Sequence, residues 1–268
     1  MSLSSFDEDD ILARQRRDWI GAAGRGAIFA IVVIASAYYT GLLDAERLSE
    51  GLPALWTLFT EMLPPDFSAW RDWWKPLADT FAMSIAGTAL AVLFSLPLGF
   101  LAARNTSPHP IVYRLVRTLL NGLRSIPELI MGIVFVAAVG FGALPGVLAL
   151  GVHSIGMVGK FFAESIEHVD PAPVEAARAA GASPFQVVMH AILPQVMPQM
   201  SDVSIYRWEY NFRASTVLGM VGAGGIGFEL MASLRIMNYQ EVAALLIVVL
   251  VMVSLVDGLG ALLRQRLA

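Results

Sequence analysis

Five long apolar runs constrain this chain more than any other feature. They lie at about 26–43, 77–103, 118–141, 146–165 and 241–263. Each approaches or exceeds the roughly 20 residues a helix needs to cross a bilayer. The 268 residues are 56% hydrophobic and only 15% charged, with a mean hydropathy of +0.64, too few charges to solvate a soluble surface. Period-two alternation, the mark of a membrane barrel, is absent. The expected class is an all-α membrane protein. With no cysteine, there is no disulfide framework and no thiolate or metal chemistry to read. The net charge of −4 says little, because charge in a membrane protein matters by location.

Orientation follows from the basic residues. Residues 1–10 are acidic and polar, unlike a cleavable signal peptide, and Arg14-Gln-Arg-Arg17 reads as a cytoplasmic anchor ahead of the first span rather than a nucleic-acid patch. Arg14, Arg16, Arg17 and Arg25 place the N-terminus inside, and Arg264 and Arg266 place the C-terminus there too. Five spans break that parity, so a sixth is assigned to the weaker stretch 200–222. Arg104, Arg114, Arg117 and Arg178 then fall in inner loops. Residues 44–76 form a charge-mixed outer loop (Arg47, Arg71, Lys75) with Trp56, Trp70, Trp73 and Trp74 as an interfacial belt. Residues 52–62 are expected to form a short amphipathic helix along the membrane. The expected division is a cytoplasmic segment at 1–25, a membrane domain of about six helices at 26–263 and a cytoplasmic tail at 264–268. No internal repeat supports a secondary-transporter architecture.

A polar island interrupts the apolar pattern at about 166–198. Pro171 and Pro173 end one helix and open another, and residues 175–180 are rich in helix formers. Gly181 permits a sharp bend, and Ser183-Pro184 reads as the cap and first turn of a second short helix. Phe185, Val187, Val188 and Met189 make it more apolar than a solvated connector, although a loop folding back on its own membrane domain remains the alternative. Glu175-Ala-Ala-Arg-Ala-Ala-Gly181, with Leu193 and Pro194 downstream, resembles the signature of permease subunits of ABC-type importers. Ala191 stands where that pattern has isoleucine, with Ile192 one place later. Tyr206-Arg-Trp-Glu-Tyr-Asn-Phe-Arg-Ala-Ser215, Val221-Gly-Ala-Gly-Gly-Ile-Gly227, Arg124-Ser-Ile-Pro-Glu128 and Leu193-Pro-Gln195 are similar to the phosphonate-type group, which includes permeases for phosphite and related oxyanions. The similarity runs over about 75–265.

The resemblance implies the type I ABC importer permease fold. Glu175, Ala176, Ala177, Gly181, Ala182, Ser183 and Pro184 would form a coupling helix seated in a cytoplasmic ATPase. It also implies a bacterial inner-membrane location with both termini cytoplasmic, two copies of the permease, two ATP-binding subunits and an extracytoplasmic binding protein. ATP and Mg2+ would belong to the ATPase, with no cofactor on this chain.

The sixth span carries charge. Entering at Met200, a helix places Arg207 roughly 10 Å deep and Arg213 about 20 Å deep. An arginine at mid-depth costs at least ~2.5–3.5 kcal/mol, so it faces a cavity or a partner. Glu209 and Arg213, four apart, are expected to pair. Arg207 lies about 160° around the helix from Glu209 and does not share it. Two cations against one anion suit a phosphorus oxyanion, with Tyr206, Tyr210 and Asn211 as neighbouring hydrogen-bonding groups. Two readings stay open: Arg207 and Arg213 line or gate an anion path, or they form a scaffold in which Arg207 meets Glu128 or Asp202. Arg124 and Glu128, flanking Pro127, are expected to pair at a kink, with a secondary role in the pathway as the alternative.

The remaining motifs are set aside. The glycine run 222–227 lacks the lysine and hydroxyl of a phosphate loop, so it is expected to let a helix end turn against its neighbours. Glu229 and Arg235, beyond it, are solvated charges or contacts for a docking protein. His109, His153, His168 and His190 show no metal spacing and read as packing or loop residues. Ser84, Ser95 and Ser154 read as small polar residues within helices, and no catalytic constellation emerges. The competing functions are an ABC permease for methionine or another amino acid, and an ion-gradient transporter.

Overall fold

In the computed structural model, which describes residues 8–267, every regular element is helical. The chain divides into two units at Glu61. The first carries α1 (Glu8–Tyr39) and α2 (Ala45–Glu61). No proline interrupts residues 8–39, and α1 starts well before the expected span edge and carries Arg16, Arg17 and Arg25 itself. Its apolar portion, Gln15–Tyr39, is long enough to cross a membrane. The short helix expected at 52–62 is the second half of α2. The calls on residues 1–7 lie outside the described residues.

The second unit holds α3 (Trp74–Ala102), α4 (Pro110–Ser125), α5 (Glu128–Val139), α6 (Ala143–Glu167), α7 (Pro171–Ala179), α8 (Pro184–Val187), α9 (Leu193–Leu218), α10 (Ile226–Arg235) and α11 (Tyr239–Leu267). Helices α3, α6 and α11 each pass the length and hydropathy test for a span. Two bent pairs, α4 with α5 and α8–α9 with α10, raise the number across the described residues from four to as many as six.

Helix α6 is the central post. Small residues of α3 let it lie against this post at close range: a Cβ at Gly87 would fall 2.9 Å from Leu150 Cβ, and one at Gly99 2.8 Å from Phe162 Cβ. Lipid tails are as apolar as leucine, so such contact, rather than expulsion of water, holds membrane helices together. The buried cluster at one end of the post contains Phe162, Ile166, Leu120 and Ile192. Met83, Leu150 and Leu218 fill the other.

The stretch expected as one span at 118–141 is broken. Pro127 drives Ile126 into extended backbone (φ −92°, ψ 120°), and α4 and α5 meet at 86°. The expected Arg124–Glu128 pair is therefore not made, because the two residues sit on differently directed helices. Spacing of four implies contact only within continuous helix. The freed Ile126 carbonyl faces His153 Nδ1 at 3.0 Å.

The weak sixth span is the longest continuous element. α8 runs through a π-helical turn (Val188–Ile192) into α9, and a second such turn (Gly219–Ala223) follows. Pro194 cannot donate to the preceding turn, and Leu193 N–H reaches Val188 O in the widened register. At the far end Gly222, Gly224 and Gly225 have φ of 104°, 76° and 75°, a region that side chains rarely adopt. They turn the chain by 57° into α10, while Ile226 N–H donates to Thr80 Oγ1.

The close crossing of α6 over α4 makes a prediction. A Cβ at Gly156 would sit 2.7 Å from both Arg124 N and Leu120 O, backbone atoms that cannot swing away. Gly156→Ala should cost about 1–3 kcal/mol by overpacking. Gly122→Ala, on open helix surface, should cost nothing. Thermal denaturation of the two purified variants in detergent checks the contrast.

Candidate transport path and coupling hook

The polar island folds as a closed hook. Asp170 caps α7 by accepting from Ala172 N–H at 2.9 Å, and Pro171 opens the helix. Gly181 bends the chain back with φ +82° and nothing within 4 Å of a Cβ, so conformation rather than space demands glycine there. Ser183 and Gln186 form a reciprocal capping box that starts α8. Val174 and Val187 are buried, and Val188 packs against the same core, so part of the island's apolar content is internal packing. Phe185 (73% exposed) and Met189 (42%) point outward, beside the exposed Glu175, Ala176, Ser183 and Pro184. Ala177 and Ala182 are partly buried.

Two residues to which the sequence reading gives no role of their own hold the hook. Gln195 Oε1 accepts from Asp170 N–H at 3.0 Å while its Nε2 donates to Ala191 O at 2.6 Å, joining the hook's entrance to its exit. Glu167, the last residue of α6, accepts from Arg104 N–H (2.9 Å) and Arg117 Nη2 (2.8 Å). Arg117 Nε also donates to Ala102 O, so α3, α4 and α6 are clasped where the hook begins.

Inside the span the expected pairing is wrong. Arg213 Nη1 contacts Asp257 Oδ1 at 2.8 Å, and Glu209 Oε1 lies 2.8 Å from Arg264 Nη1. Asp202 is 3.9 Å from Arg264. Helix α11 presents Asp257 and Arg264 two turns apart, one to each of the two α9 side chains expected to pair with each other. Gly260 makes room for the Glu209 carboxylate, which a Cβ would strike. Arg264 thus belongs to a helix–helix contact, and α11 extends through the segment expected as a tail.

Arg207 meets neither Glu128 nor Asp202. It is 4% exposed, donates from Nε to Ser154 Oγ at 2.7 Å, and lies 4.2 Å from the Tyr210 ring centroid. Its Nη2 has no hydrogen-bond partner. Ser154 in turn donates to Asn211 Oδ1 (3.1 Å), Asn211 Nδ2 to Thr88 Oγ1 (2.9 Å), and Thr88 to Ser84 O (2.7 Å). Trp208 Nε1 reaches Ser84 Oγ. Ser84 and Ser154 therefore bridge helices, and Ser95 does so too through Ile155 O. Tyr210 Oη donates to Glu128 Oε1 at 2.6 Å, and His153 Nε2 stands 3.5 Å from Glu128 Oε2. His153, read from sequence as a packing residue, is buried and lies against Glu128 and the Ile126 carbonyl. Tyr206, Tyr210 and Arg213 share one face of α9 and Tyr206 is exposed; Glu128, Tyr210 and Arg213 line a cavity of about 230 Å³ between α5 and α9.

Residues 95–268 match the family described as binding-protein-dependent transport system inner membrane component. The chain belongs to that family. It is 65% identical over 271 residues to a phosphite transport system permease protein of Stutzerimonas stutzeri, covering 98% of each chain. A phosphate-import permease protein of Mycolicibacterium smegmatis is 42% identical over 211 residues, 78% of this chain and 40% of that one. The fold is that of type I importer permeases: an inward-facing methionine ABC transporter chain superposes with a TM-score of 0.62 over 81% of this chain and 98% of that one, at 22% identity. This permease is accordingly a transport subunit of an inner-membrane ABC system.

Cutting the staple should loosen the hook without unfolding the membrane domain. Gln195→Leu removes hydrogen bonds at an exposed site, about 1 kcal/mol in all, so amide exchange across 172–180 should accelerate roughly fivefold. Hydrogen-exchange mass spectrometry of the variant permease reads this, with exchange in α3 and α6 as the unchanged reference.

Proposed function

We propose that this permease carries phosphite, phosphonates or related small phosphorus oxyanions inward by alternating access, driven by ATP hydrolysis on a separate cytoplasmic subunit. The carrying observation is that 65% identity to a phosphite permease extends over 98% of both chains, the candidate path included. The chemistry agrees. Arg207 keeps an unpartnered guanidinium nitrogen deep in the bundle, and a guanidinium fork suits a phosphorus oxyanion.

The working unit is two permeases, two ATP-binding subunits and an extracytoplasmic binding protein. ATP and Mg2+ act on the ATPase, and both termini of the permease face the cytoplasm. The Arg213–Asp257 pair supports the dimer: both side chains are close to half exposed on membrane helices. Charge at that depth is stable against water or protein, not against lipid. The outward Phe185 and Met189 would seat in the ATPase, and closure of the ATPase would pull on α9 through helix that continues from Pro184 up to the kink at Gly222. Amino-acid cargo draws only on a fold likeness at 22% identity.

Two measurements test the reading. Proteoliposomes holding the complete complex should take up phosphite only with ATP inside the cytoplasmic compartment, and uptake driven by a proton gradient alone would overturn the proposal. Gly181→Asn, which tolerates the left-handed conformation, should keep uptake coupled to hydrolysis. Gly181→Val should hydrolyse ATP with uptake reduced about tenfold or more, since a β-branched residue there distorts the bend.

A further inference from the structure

The Arg207 guanidinium is buried, yet one of its two terminal nitrogens touches no acceptor. Unpartnered donors are costly in a bilayer interior and persist where something else supplies the partner. What covers the guanidinium is the ring of Tyr210, and what holds that ring in place is the hydrogen bond from its hydroxyl to Glu128. On the other side of Glu128 and Tyr210 lies the cavity of about 230 Å³, open along the α5–α9 face.

We propose that Tyr210 is a lid over an anion subsite whose cation is Arg207, and that Glu128 is the latch of that lid. The proposal rests on the reading of the chain as an oxyanion permease and specifies which residues meet the cargo. With the latch closed, the Tyr210 hydroxyl is committed to Glu128, and its ring masks the guanidinium. A small oxyanion entering the cavity is drawn to the guanidinium behind the ring, and reaching it requires the Tyr210–Glu128 bond to break. Once Tyr210 swings away, Nη2 gains the acceptor it lacks. His153 Nε2 stands 3.5 Å from the other Glu128 oxygen while its Nδ1 faces the Ile126 carbonyl, so this ring donates to the carboxylate only as an imidazolium. Arg207 stays anchored throughout by Ser154. The cavity has room for an ion the size of phosphite or a short-chain phosphonate. Arg213 borders the cavity, but its Nη1 is already held by Asp257, so it attracts anions without being the closing contact.

The probe is inorganic phosphite, followed by phosphorus NMR line broadening on the detergent-purified permease–ATPase complex with no delivery protein added. Tyr210→Phe keeps the ring and removes the latch, so phosphite should broaden at a concentration about fivefold lower than with the unmodified complex, the equivalent of one hydrogen bond no longer opposing binding. Arg207→Gln should abolish the broadening in either background, and Arg207→Lys should retain part of it. Equal broadening with and without the Tyr210 hydroxyl, or broadening indifferent to Arg207→Gln, overturns the lid. If Arg207→Gln does not assemble, the Tyr210→Phe comparison and the Arg207→Lys variant decide alone. ATP-driven phosphite uptake by the unmodified complex is measured in parallel: its absence counts against the transport reading, whereas uptake with no lid effect sinks only this inference.

Discussion

The buried guanidinium of Arg207 is anchored by a hydroxyl, not by a carboxylate, and the packing of three helices depends on that choice. Ser154 on α6, Asn211 on α9 and Thr88 on α3 pass hydrogen bonds from one to the next, each buried and each occupied. In hydrocarbon an unmet polar group costs several kcal/mol, so the chain of bonds fixes the rotation of all three helices together. A one-residue slip of α9 would turn Asn211 and Arg207 toward apolar neighbours. Small residues set how close α3 and α6 come; the polar ladder sets their register.

Had Arg207 been neutralised by a tight buried ion pair, there would be little left for an anion. A buried pair is expensive to break, because separation leaves two uncompensated charges. Hydroxyl and aromatic partners hold the side chain without satisfying its charge. The full ion pairs are displaced sideways, to the α9–α11 seam, where Arg213 meets Asp257 and Glu209 meets Arg264. The same helix thus has one face charge-balanced for assembly and another left electropositive, a division that a local count of two cations against one anion does not reveal.

How much of this is legible in sequence depends on the range of the interaction. Helices α3, α6 and α11 fall within a few residues of their apolar runs because length and hydropathy are local properties. The hook is legible for the same reason: Asp170, Pro171, Gly181 and the Ser183–Gln186 box are short-range capping chemistry. The bend at Pro127 is harder to read, since proline in a membrane helix produces either a kink or a break, and tertiary partners decide which. The Glu209–Arg213 pairing fails because spacing of four states only that two side chains are within reach. It is silent about a competitor 44 residues away on α11. Ser154 and His153 look like ordinary packing residues until α9 and the broken α4–α5 junction are laid against them. Gln195 joins segments 25 residues apart, and only its place beside Leu193 and Pro194 in the resembling motif drew it into the reading.

The arrangement also explains why a permease tolerates so many marginal contacts. Hydrogen bonds between membrane helices contribute about 0.6 kcal/mol on average, little more than thermal energy. A ladder of four or five such bonds holds one register firmly, yet any single rung exchanges at low cost. The Tyr210–Glu128 bond is such a rung, at the edge of the ladder and beside an open cavity, whereas the Asn211 rungs are sealed in the middle. In the proposed cycle the pull of the hook enters at the other end of the same helix, next to the Gln195 staple and the Glu167 clasp. On the proposed coupling, force entering at α8 runs along α9 to the Tyr210–Glu128 and Arg207–Tyr210 contacts. Those are the contacts that stand between the unpartnered guanidinium and an incoming anion.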